Sequence, residues 1–286
     1  MGVTYTVRKV NVYYPNKSLP PLRLVVEGGG VSAVRLDRAG PTLTATLADV
    51  EGRNAIGAGM LNGLCDAIAE ANADPSIRAL VVTNDGNTFC AGANLKELSG
   101  SAQAARPKVG FEELLAEIQR SPTPVVGKIR GHVVGGGNGL VAAFDIAIAR
   151  DDVKFGFTEV RVGVIPAIIS VVCLPKMRRG EAMEAFLRGN RFPATRAAQL
   201  GLISRAVAAD QLDGAVDEVL ADLRLGGPQA LGLAKRLVYE VPAMKEEEAV
   251  SWTADLSRRL FEGEEAAAGM KAFLTREKPP WAAEED

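Results

Sequence analysis

Hydrophobic and polar residues alternate between positions 42 and 47, where leucine or alanine takes every second place and threonine takes the others. A period of two predicts a strand with one face buried. A second strand is predicted over residues 34–37, and the turn sequence Ala39-Gly40-Pro41 separates the two. The chain is therefore predicted to enter its core as a β-hairpin.

Helical spacing takes over after the hairpin. Leu61, Leu64, Cys65 and Ile68 lie on one face of a helix that must end near Pro75, because proline cannot continue it, and residues 79–83 follow as a strand. The order repeats, with helices around 111–118 and 138–144 and strands over 125–129 and 146–149. Alternating helices and strands predict an α/β fold with right-handed crossovers.

The last third of the sequence is predicted to be helical, since strand signals fade after Gly180. The apolar stripes fall within residues 212–223, 230–239, 252–261 and 266–273. These faces need a partner surface, which is either the α/β core or another subunit. Residues 1–30 are rich in turn residues and are predicted to be an irregular extension. The predicted division is 1–30 (extension), 31–209 (α/β core) and 210–286 (helical region).

Composition narrows the function classes. The chain has 286 residues, 33 Lys+Arg against 35 Asp+Glu, and a net charge of -2. Without a basic block, binding to a nucleic-acid backbone is not expected. The longest nearly apolar stretch, residues 162–175, is too short to span a bilayer. Three cysteines form no CxxC pair, and no cationic leader precedes an apolar run, so a reducing, cytoplasmic setting is expected.

The chain contains a single histidine, His132. Zinc sites and Ser-His-Asp triads both draw on histidine, so neither is expected, and His132 is interpreted as a packed side chain. Acid–base chemistry then falls to carboxylates, to lysine or to this imidazole.

Two glycine loops follow predicted strands. Gly135-Gly136-Gly137 lies between a strand and a helix, where free backbone N–H groups suit developing negative charge. A tight strand-to-helix turn would explain the same glycines without any function. The segment matches neither a P-loop nor a dinucleotide fingerprint. Residues 89–95 form the second loop, and two such loops after neighbouring strands could converge.

Together these loops resemble the signatures of the crotonase, or enoyl-CoA hydratase/isomerase, superfamily. Residues 89–97 read F-C-A-G-A-N-L-K-E, and residues 131–140 read G-H-V-V-G-G-G-N-G-L. The likeness continues through residues 155–159, 163–166, 197–203 and 269–273, in the family's order and spacing. It spans about residues 31–281, and several motifs together are far more specific than any one.

The resemblance implies a spiral of repeated ββα units with a helical C-terminal trimerisation region, assembling as a trimer or hexamer. It also implies a coenzyme A thioester as substrate, no separate cofactor, and an oxyanion hole formed by the backbone N–H groups of Ala93 and Gly136. Fixed amide donors stabilise the charge that develops on a thioester oxygen, each by about 3–4 kcal/mol.

Hydratases of this family hold water between two glutamates. Glu159 stands in the second of these places, whereas Gly139 stands in the first. Apolar neighbours are expected to desolvate Glu159 and raise its pKa, which suits proton transfer.

Gly139, together with residues 158–170, resembles the bacterial methylglutaconyl-CoA hydratase branch, whose substrates carry a distal carboxylate. A glycine at 139 would make room and remove a like charge, with Arg161 as a counter-ion and Ile168 near the acyl chain. Contacts to coenzyme A are expected from Arg53, Asn54, Ala91 and Lys96, and from Arg276, which could reach across from a neighbouring subunit.

The leading interpretation is a hydro-lyase that adds water to an α,β-unsaturated acyl-CoA, with Glu159 as acid–base. An enoyl-CoA isomerase or a decarboxylase could use the same oxyanion hole and one proton-transfer group. A catalytically degenerate acyl-CoA-binding or RNA-binding paralogue is the alternative from another class.

Overall fold

The computed structural model describes residues 33–94 and 107–282, which all belong to one compact unit spanning residues 32–286. The predicted extension 1–30 and the predicted coenzyme A contact Lys96 lie outside the described residues.

Ten strands are present in the described part of the chain. They are β1 (Val34–Ala39), β2 (Thr42–Leu47), β3 (Ala79–Asn84), β4 (Thr88–Cys90), β5 (Val125–Ile129), β6 (His132–Val134), β7 (Ile146–Arg150), β8 (Lys154–Gly156), β9 (Arg191–Pro193) and β10 (Arg205–Val207).

Ten α-helices accompany them within the same described ranges. They are α1 (Ala58–Ala73), α2 (Phe111–Arg120), α3 (Gly136–Ala143), α4 (Ala167–Cys173), α5 (Arg179–Arg188), α6 (Ala194–Leu200), α7 (Leu212–Leu225), α8 (Pro228–Glu240), α9 (Glu246–Phe261) and α10 (Glu264–Thr275).

The strands form two sheets. The larger sheet has the order β1-β2-β3-β5-β7-β10 and is parallel except for the β1–β2 hairpin. The smaller sheet has the order β4-β6-β8-β9, and only its β8–β9 pair is antiparallel. Consecutive strands alternate between the sheets, as β3 then β4, β5 then β6, and β7 then β8. Each such pair is one ββα turn, and the predicted spiral α/β fold is confirmed.

The predicted elements before Gly180 are found, with their ends shifted by a few residues. The smaller sheet was not predicted, because its strands are only three residues long and show no period. Strand signals fade in the sequence after Gly180, yet two short strands follow it, β9 and β10, each at one edge of a sheet and both within the predicted α/β core of residues 31–209.

The core lies between the sheets and the helices that cover them. Its largest fully buried side chains are aromatic or aliphatic, and Phe89 and Phe144 pack edge to face with ring centroids 6.2 Å apart. Of the predicted helical stripes, α7 covers the larger sheet, where Leu212 and Val216 pack against Val81 and Ile148. No helix in the described ranges is long and apolar enough to cross a membrane.

Helix α8 is attached to the core by a buried ion pair. Lys235 Nζ lies 2.8 Å from Asp145 Oδ2 and also donates to the carbonyl of Ile118 at 2.7 Å. Asp145 in turn accepts a bond from the backbone N–H of Val125. Burial raises the pKa of Asp145 even though Lys235 acts in the opposite direction, and burial lowers the pKa of Lys235.

Candidate active site

Three neighbouring strands of the smaller sheet end at the same edge, because β4, β6 and β8 are parallel. Gly92 and Ala93 follow β4, Gly135 follows β6, and Glu159 follows β8. The carboxyl ends of parallel strands are where α/β proteins commonly bind ligands. The two glycine loops and the predicted acid–base residue are therefore brought together by sheet topology.

The loop after β4 presents the N–H of Ala93. Ile56 forms a parallel bridge with Ala93, in which Ile56 N–H donates to Gly92 O and Asn94 N–H donates to Ile56 O. Backbone groups alternate in direction along an extended chain, so the N–H of Ala93 points away from Ile56. It has no acceptor among the described residues, and Ala93 is exposed. This amide is free to bind a ligand.

The loop after β6 presents a second amide. Gly135 has φ 55° and ψ -127°, a conformation that favours glycine, and Gly136 starts α3 immediately after it. The N–H of Gly136 also lacks an acceptor among the described residues. A β-carbon added at Gly92 would lie 3.3 Å from the Gly136 nitrogen, so the two loops are in contact. Ala93 and Gly136 thus present two free amides on adjoining loops.

Asn138 connects the second loop to β8. Its backbone N–H and its side-chain Nδ2 both donate to the carbonyl of Gly135, each at 2.9 Å. Nδ2 also donates to the carbonyl of Gly156 at 2.9 Å, and the N–H of Gly135 donates to that same carbonyl. Asn138 is only 1% exposed. The sequence alone gives no signal for this residue, because a single asparagine in a glycine motif does not reveal which carbonyls it pairs with.

Glu159 begins a 3-10 turn, Glu159–Val162, three residues after β8 ends. A β-carbon at Gly135 would lie 3.7 Å from Glu159 Oε1, which places the carboxylate beside the second loop. Oε2 is buried and has no hydrogen-bond partner within the described structure. Burial raises the pKa of Glu159, partly offset by a bond from its own backbone N–H. A carboxylate with this environment is suited to proton transfer.

The space expected at Gly139 is filled. A β-carbon there would collide with Cγ2 of Ile169 and would lie 2.6 Å from its Cβ, because α3 and α4 pack closely at this point. Ile169 therefore occupies the space beside Gly139, and the role of Gly139 in substrate binding stays a prediction. Ile169, the residue that packs against Gly139, is buried. Ile168, the predicted substrate contact, precedes it on the helix and is 47% exposed.

Arg161 lies on the same 3-10 turn as Glu159 and is exposed, with Nη2 donating to the carbonyl of Arg188 at 3.4 Å. No carboxylate of the described chain pairs with it. An apolar cavity of about 700 Å³ adjoins this turn through Val160 and extends between α4 and α5 to Phe186. Neither Arg161, Ile168 nor Gly139 lines it.

The residues predicted to bind coenzyme A differ in their exposure and in their place in the fold. Arg53 is exposed and its carbonyl accepts the N–H of Ala91 at 3.2 Å, so these two adjoin the first loop. Asn54 is buried, and its Nδ2 donates to the carbonyls of Asp85 and Thr88, so its side chain is engaged within the protein. Its contact with coenzyme A stays a prediction. Arg276 caps the end of α10 with φ 59° and is exposed.

The described residues contain no cluster of three or more His, Cys, Asp or Glu side chains that could hold a metal ion. His132 Nδ1 accepts the backbone N–H of Lys154 at 3.0 Å, a bond between β6 and β8. The three cysteines are unpaired, and burial raises the pKa of the Cys90 thiol to about 12.

Comparison with known proteins gives a consistent result. The sequence profile of the enoyl-CoA hydratase/isomerase family matches residues 41–284. The enoyl-CoA hydratase EchA19 of Mycobacterium tuberculosis is 27% identical over 260 residues, covering 89% of this chain and 97% of that protein.

The fold is also similar to those of solved structures. The crystal structure of an enoyl-CoA hydratase/isomerase from Marinobacter aquaeolei superposes with a TM-score of 0.80 at 30% identity, covering 88% of this chain and 99% of the other. AtuE of Pseudomonas aeruginosa gives a TM-score of 0.80 at 29% identity, covering 88% of this chain and all of that one.

Proposed function

Because this chain belongs to the enoyl-CoA hydratase/isomerase family, we propose that it catalyses the reversible addition of water to an α,β-unsaturated acyl-CoA. One observation carries the proposal. The buried carboxylate of Glu159 adjoins a loop whose free amide lies next to a second free amide. An acid–base group and two donors for a carbonyl oxygen are what hydration of a conjugated thioester requires.

The N–H groups of Ala93 and Gly136 would both donate hydrogen bonds to the thioester carbonyl oxygen, which would lie between them. Addition of a nucleophile at the β-carbon moves the π electrons onto that oxygen and creates an enolate. Donors that are fixed before the reaction stabilise this charge without reorganising, and each is worth about 10²–10³ in kcat. The Gly135 conformation allows the close approach that such contacts need.

Glu159 would transfer the protons. Its carboxylate takes a proton from a water molecule as the water oxygen bonds to the β-carbon. The resulting carboxylic acid then donates a proton to the α-carbon, and the enolate returns to a thioester. Oε2, which is buried and unpaired within the described structure, supplies an acceptor for that water. The raised pKa of Glu159 favours both steps near neutral pH.

The test is isotopic. A panel of crotonyl-CoA, 3-methylglutaconyl-CoA and a 3-enoyl-CoA is incubated with the enzyme in ¹⁸O water and in heavy water, and the products are analysed by mass spectrometry. Hydration incorporates ¹⁸O, and Glu159→Gln should abolish this incorporation. Uptake of deuterium without ¹⁸O would contradict the proposal, as would release of carbon dioxide.

A second candidate, isomerisation of a 3-enoyl-CoA, is favoured by one specific observation. Ile169 occupies the space beside Gly139, so apolar surface lies where another water-binding side chain could have been. An isomerase needs only one base, which removes a proton from the α-carbon and returns it to the γ-carbon. In the panel above, this reaction exchanges deuterium and takes up no ¹⁸O.

The substrate with a distal carboxylate belongs to the proposal as well. Its support is Arg161, which lies two residues from Glu159, is exposed, and has no carboxylate partner within the described chain. Arg161→Met should raise KM for 3-methylglutaconyl-CoA about ten-fold and leave crotonyl-CoA unchanged, because a charge-assisted contact is worth about 1.5–3 kcal/mol. Equal effects on both substrates would argue against Arg161 as the counter-ion.

A further inference from the structure

We propose that Asn138 is a positioning residue that aims the Gly136 amide at the thioester oxygen and strengthens it as a donor. The inference rests on the proposed function and adds a residue to it. Asn138 touches no substrate in this account. It acts through the peptide unit that joins Gly135 to Gly136.

A trans peptide unit is planar, so its C=O and N–H point in opposite directions. No cis peptide bond occurs in the described chain. The carbonyl of Gly135 and the N–H of Gly136 belong to one such unit. When the backbone N–H and Nδ2 of Asn138 hold the carbonyl, each at 2.9 Å, they also fix the direction of the N–H on the other side.

The flanking glycine makes this restraint necessary. Gly135 has no side chain to limit rotation of the peptide unit, and its φ of 55° lies where several conformations are accessible to glycine. Two hydrogen bonds on one carbonyl select a single orientation. Hydrogen bonds accepted by a C=O also polarise the N–H of the same unit, which makes that N–H a stronger donor.

The second bond of Nδ2 extends the effect to the acid–base residue. Nδ2 donates to the carbonyl of Gly156, the last residue of β8, at 2.9 Å. Glu159 follows three residues later. One buried amide therefore connects the loop after β6 to the end of β8, the strand that leads into the turn of Glu159. Its orientation is set by the two carbonyl acceptors, since the reversed amide would direct an oxygen at both of them.

The test uses a series of variants at position 138 that have decreasing numbers of side-chain hydrogen bonds. Serine at a helical position bonds the carbonyl three residues back, so Asn138→Ser keeps a bond to Gly135 and loses the one to Gly156. Asn138→Ala loses both. Asn138→Asp keeps the volume and replaces Nδ2 by an oxygen, and it takes the place of alanine if Asn138→Ala does not fold.

Two readouts separate positioning from stability. The first is the infrared stretching frequency of the carbonyl of bound [1-¹³C]butyryl-CoA, which falls as the amides polarise it. The second is the change in kcat compared with the change in KM. We expect the frequency to rise and kcat to fall in the order wild type, serine, alanine. The loss in the alanine variant should be at least about ten-fold, towards the 10²–10³ of a complete donor, with KM changed less than three-fold.

Asn84 provides a matched control. It is a buried asparagine whose Nδ2 also donates to backbone carbonyls, including Gly86 at 3.0 Å, and it lies at the end of β3, outside the site. Asn84→Ala should lower the melting temperature and leave the carbonyl frequency and kcat per folded molecule unchanged. A folded Asn138→Ala or Asn138→Asp enzyme with wild-type frequency and kcat overturns the proposal, and so does an equal effect of Asn84→Ala.

Failure of the proposed function would be recognised separately. If the wild type binds butyryl-CoA with a lowered carbonyl frequency but turns over no substrate in the panel, the proposed reaction is wrong, and the frequencies of the variants still decide the role of Asn138. If the wild type does not bind butyryl-CoA, both are overturned.

Discussion

Burial of Glu159 ties the reactivity of this residue to its environment. The carboxylate is partly removed from water, and this loss of hydration raises its pKa above that of an ordinary glutamate. A raised pKa brings the ionised and neutral forms of this carboxyl closer in free energy near neutral pH, which suits a group that must take up a proton and return it. Substitution of Glu159 by glutamine separates the contribution of side-chain shape from that of proton transfer, because glutamine is nearly isosteric with glutamate and cannot ionise.

Glu159→Gln should lower kcat by about 10²–10⁴ while KM changes little, because the proton-transfer group is lost and the binding surface is kept. Steady-state kinetics on the preferred acyl-CoA measures this. Glu159→Asp is the control that keeps a carboxylate and should retain more activity than glutamine. Wild-type turnover in the glutamine variant would remove Glu159 from the mechanism.

Glu159→Gln should also change how the stability of the folded protein depends on pH. The folded-state pKa of Glu159 is raised, so its neutral form is favoured by folding, and that contribution is lost as the pH rises through the folded-state pKa. Glu159→Gln should therefore be more stable than wild type above that pKa. The difference should vanish below about pH 4.5, the ordinary value for glutamate. Thermal melts across this range check the sign.

Ala93 contributes only its backbone to the site. Ala93→Pro deletes the free N–H and leaves the two bonds of the Ile56 bridge, which Gly92 O and Asn94 N–H make, intact. We expect kcat to fall about 10²–10³. Ala93→Gly keeps the N–H and is the control. Near-normal turnover in a folded proline variant would exclude this amide as an oxyanion donor.

The family resemblance selected Glu159, Ala93 and Gly136, and the structure brings these three residues to one edge of the smaller sheet. The resemblance could not reveal Asn138 or Ile169. Their roles depend on contacts with Gly156 and with Gly139, which lie on other elements, and a single sequence contains no record of such pairs.

At the scale of elements, α3 and α4 approach closely because Gly139 has no side chain where Ile169 packs. Gly139→Ala should destabilise the protein by about 1–3 kcal/mol through overpacking. Combining it with Ile169→Ala should relieve part of that loss, and urea unfolding of both single variants and the double variant measures the coupling. Additive losses would mean that the two residues do not share the space.

This packing also changes what can be expected from a second glutamate. Gly139→Glu alone should fail as a gain of function, since its side chain must displace Ile169. Only together with Ile169→Ala could the new carboxylate approach the site, and crotonyl-CoA hydration measures the outcome. Improved hydration by the single variant would contradict the packing argument.

The long elements could be predicted from periodicity, as for α1, α2 and the larger sheet. The smaller sheet could not, although it positions the site. Its strands have three residues each and are defined by pairing between segments about 20 to 40 residues apart, for which local pattern provides no signal.

For the whole molecule, the Lys235–Asp145 pair fixes the C-terminal helices to the core. Lys235→Met should destabilise by about 3–5 kcal/mol, because it leaves a buried carboxylate without its partner. Adding Asp145→Asn removes that charge and should restore much of the loss. Chemical denaturation of the full cycle gives the coupling, and a single-variant loss under 1 kcal/mol would show that the pair is unimportant.

The isolated chain leaves apolar side chains exposed on its C-terminal helices. Phe261 on α9 is 68% exposed, and Phe273 and Leu274 on α10 are 84% and 79% exposed. Such surface is normally covered, so we expect a trimer or hexamer with no stable monomer at micromolar concentration. Light scattering tests this, and Phe273→Ser should shift the distribution towards smaller species. A monodisperse wild-type monomer would refute the expectation.

The two amides proposed as oxyanion donors belong to the main chain, and this has an evolutionary consequence. Nearly every amino acid supplies a backbone N–H at position 93. Most substitutions there therefore change the surroundings of the thioester and keep the hydrogen bond that activates it. In the proposed mechanism, the fate of the enolate depends instead on a few side chains, with Glu159 first among them. A lineage built on this scaffold can therefore exchange one reaction for another by small mutational steps, without ever passing through an ancestor that has lost the ability to activate its substrate.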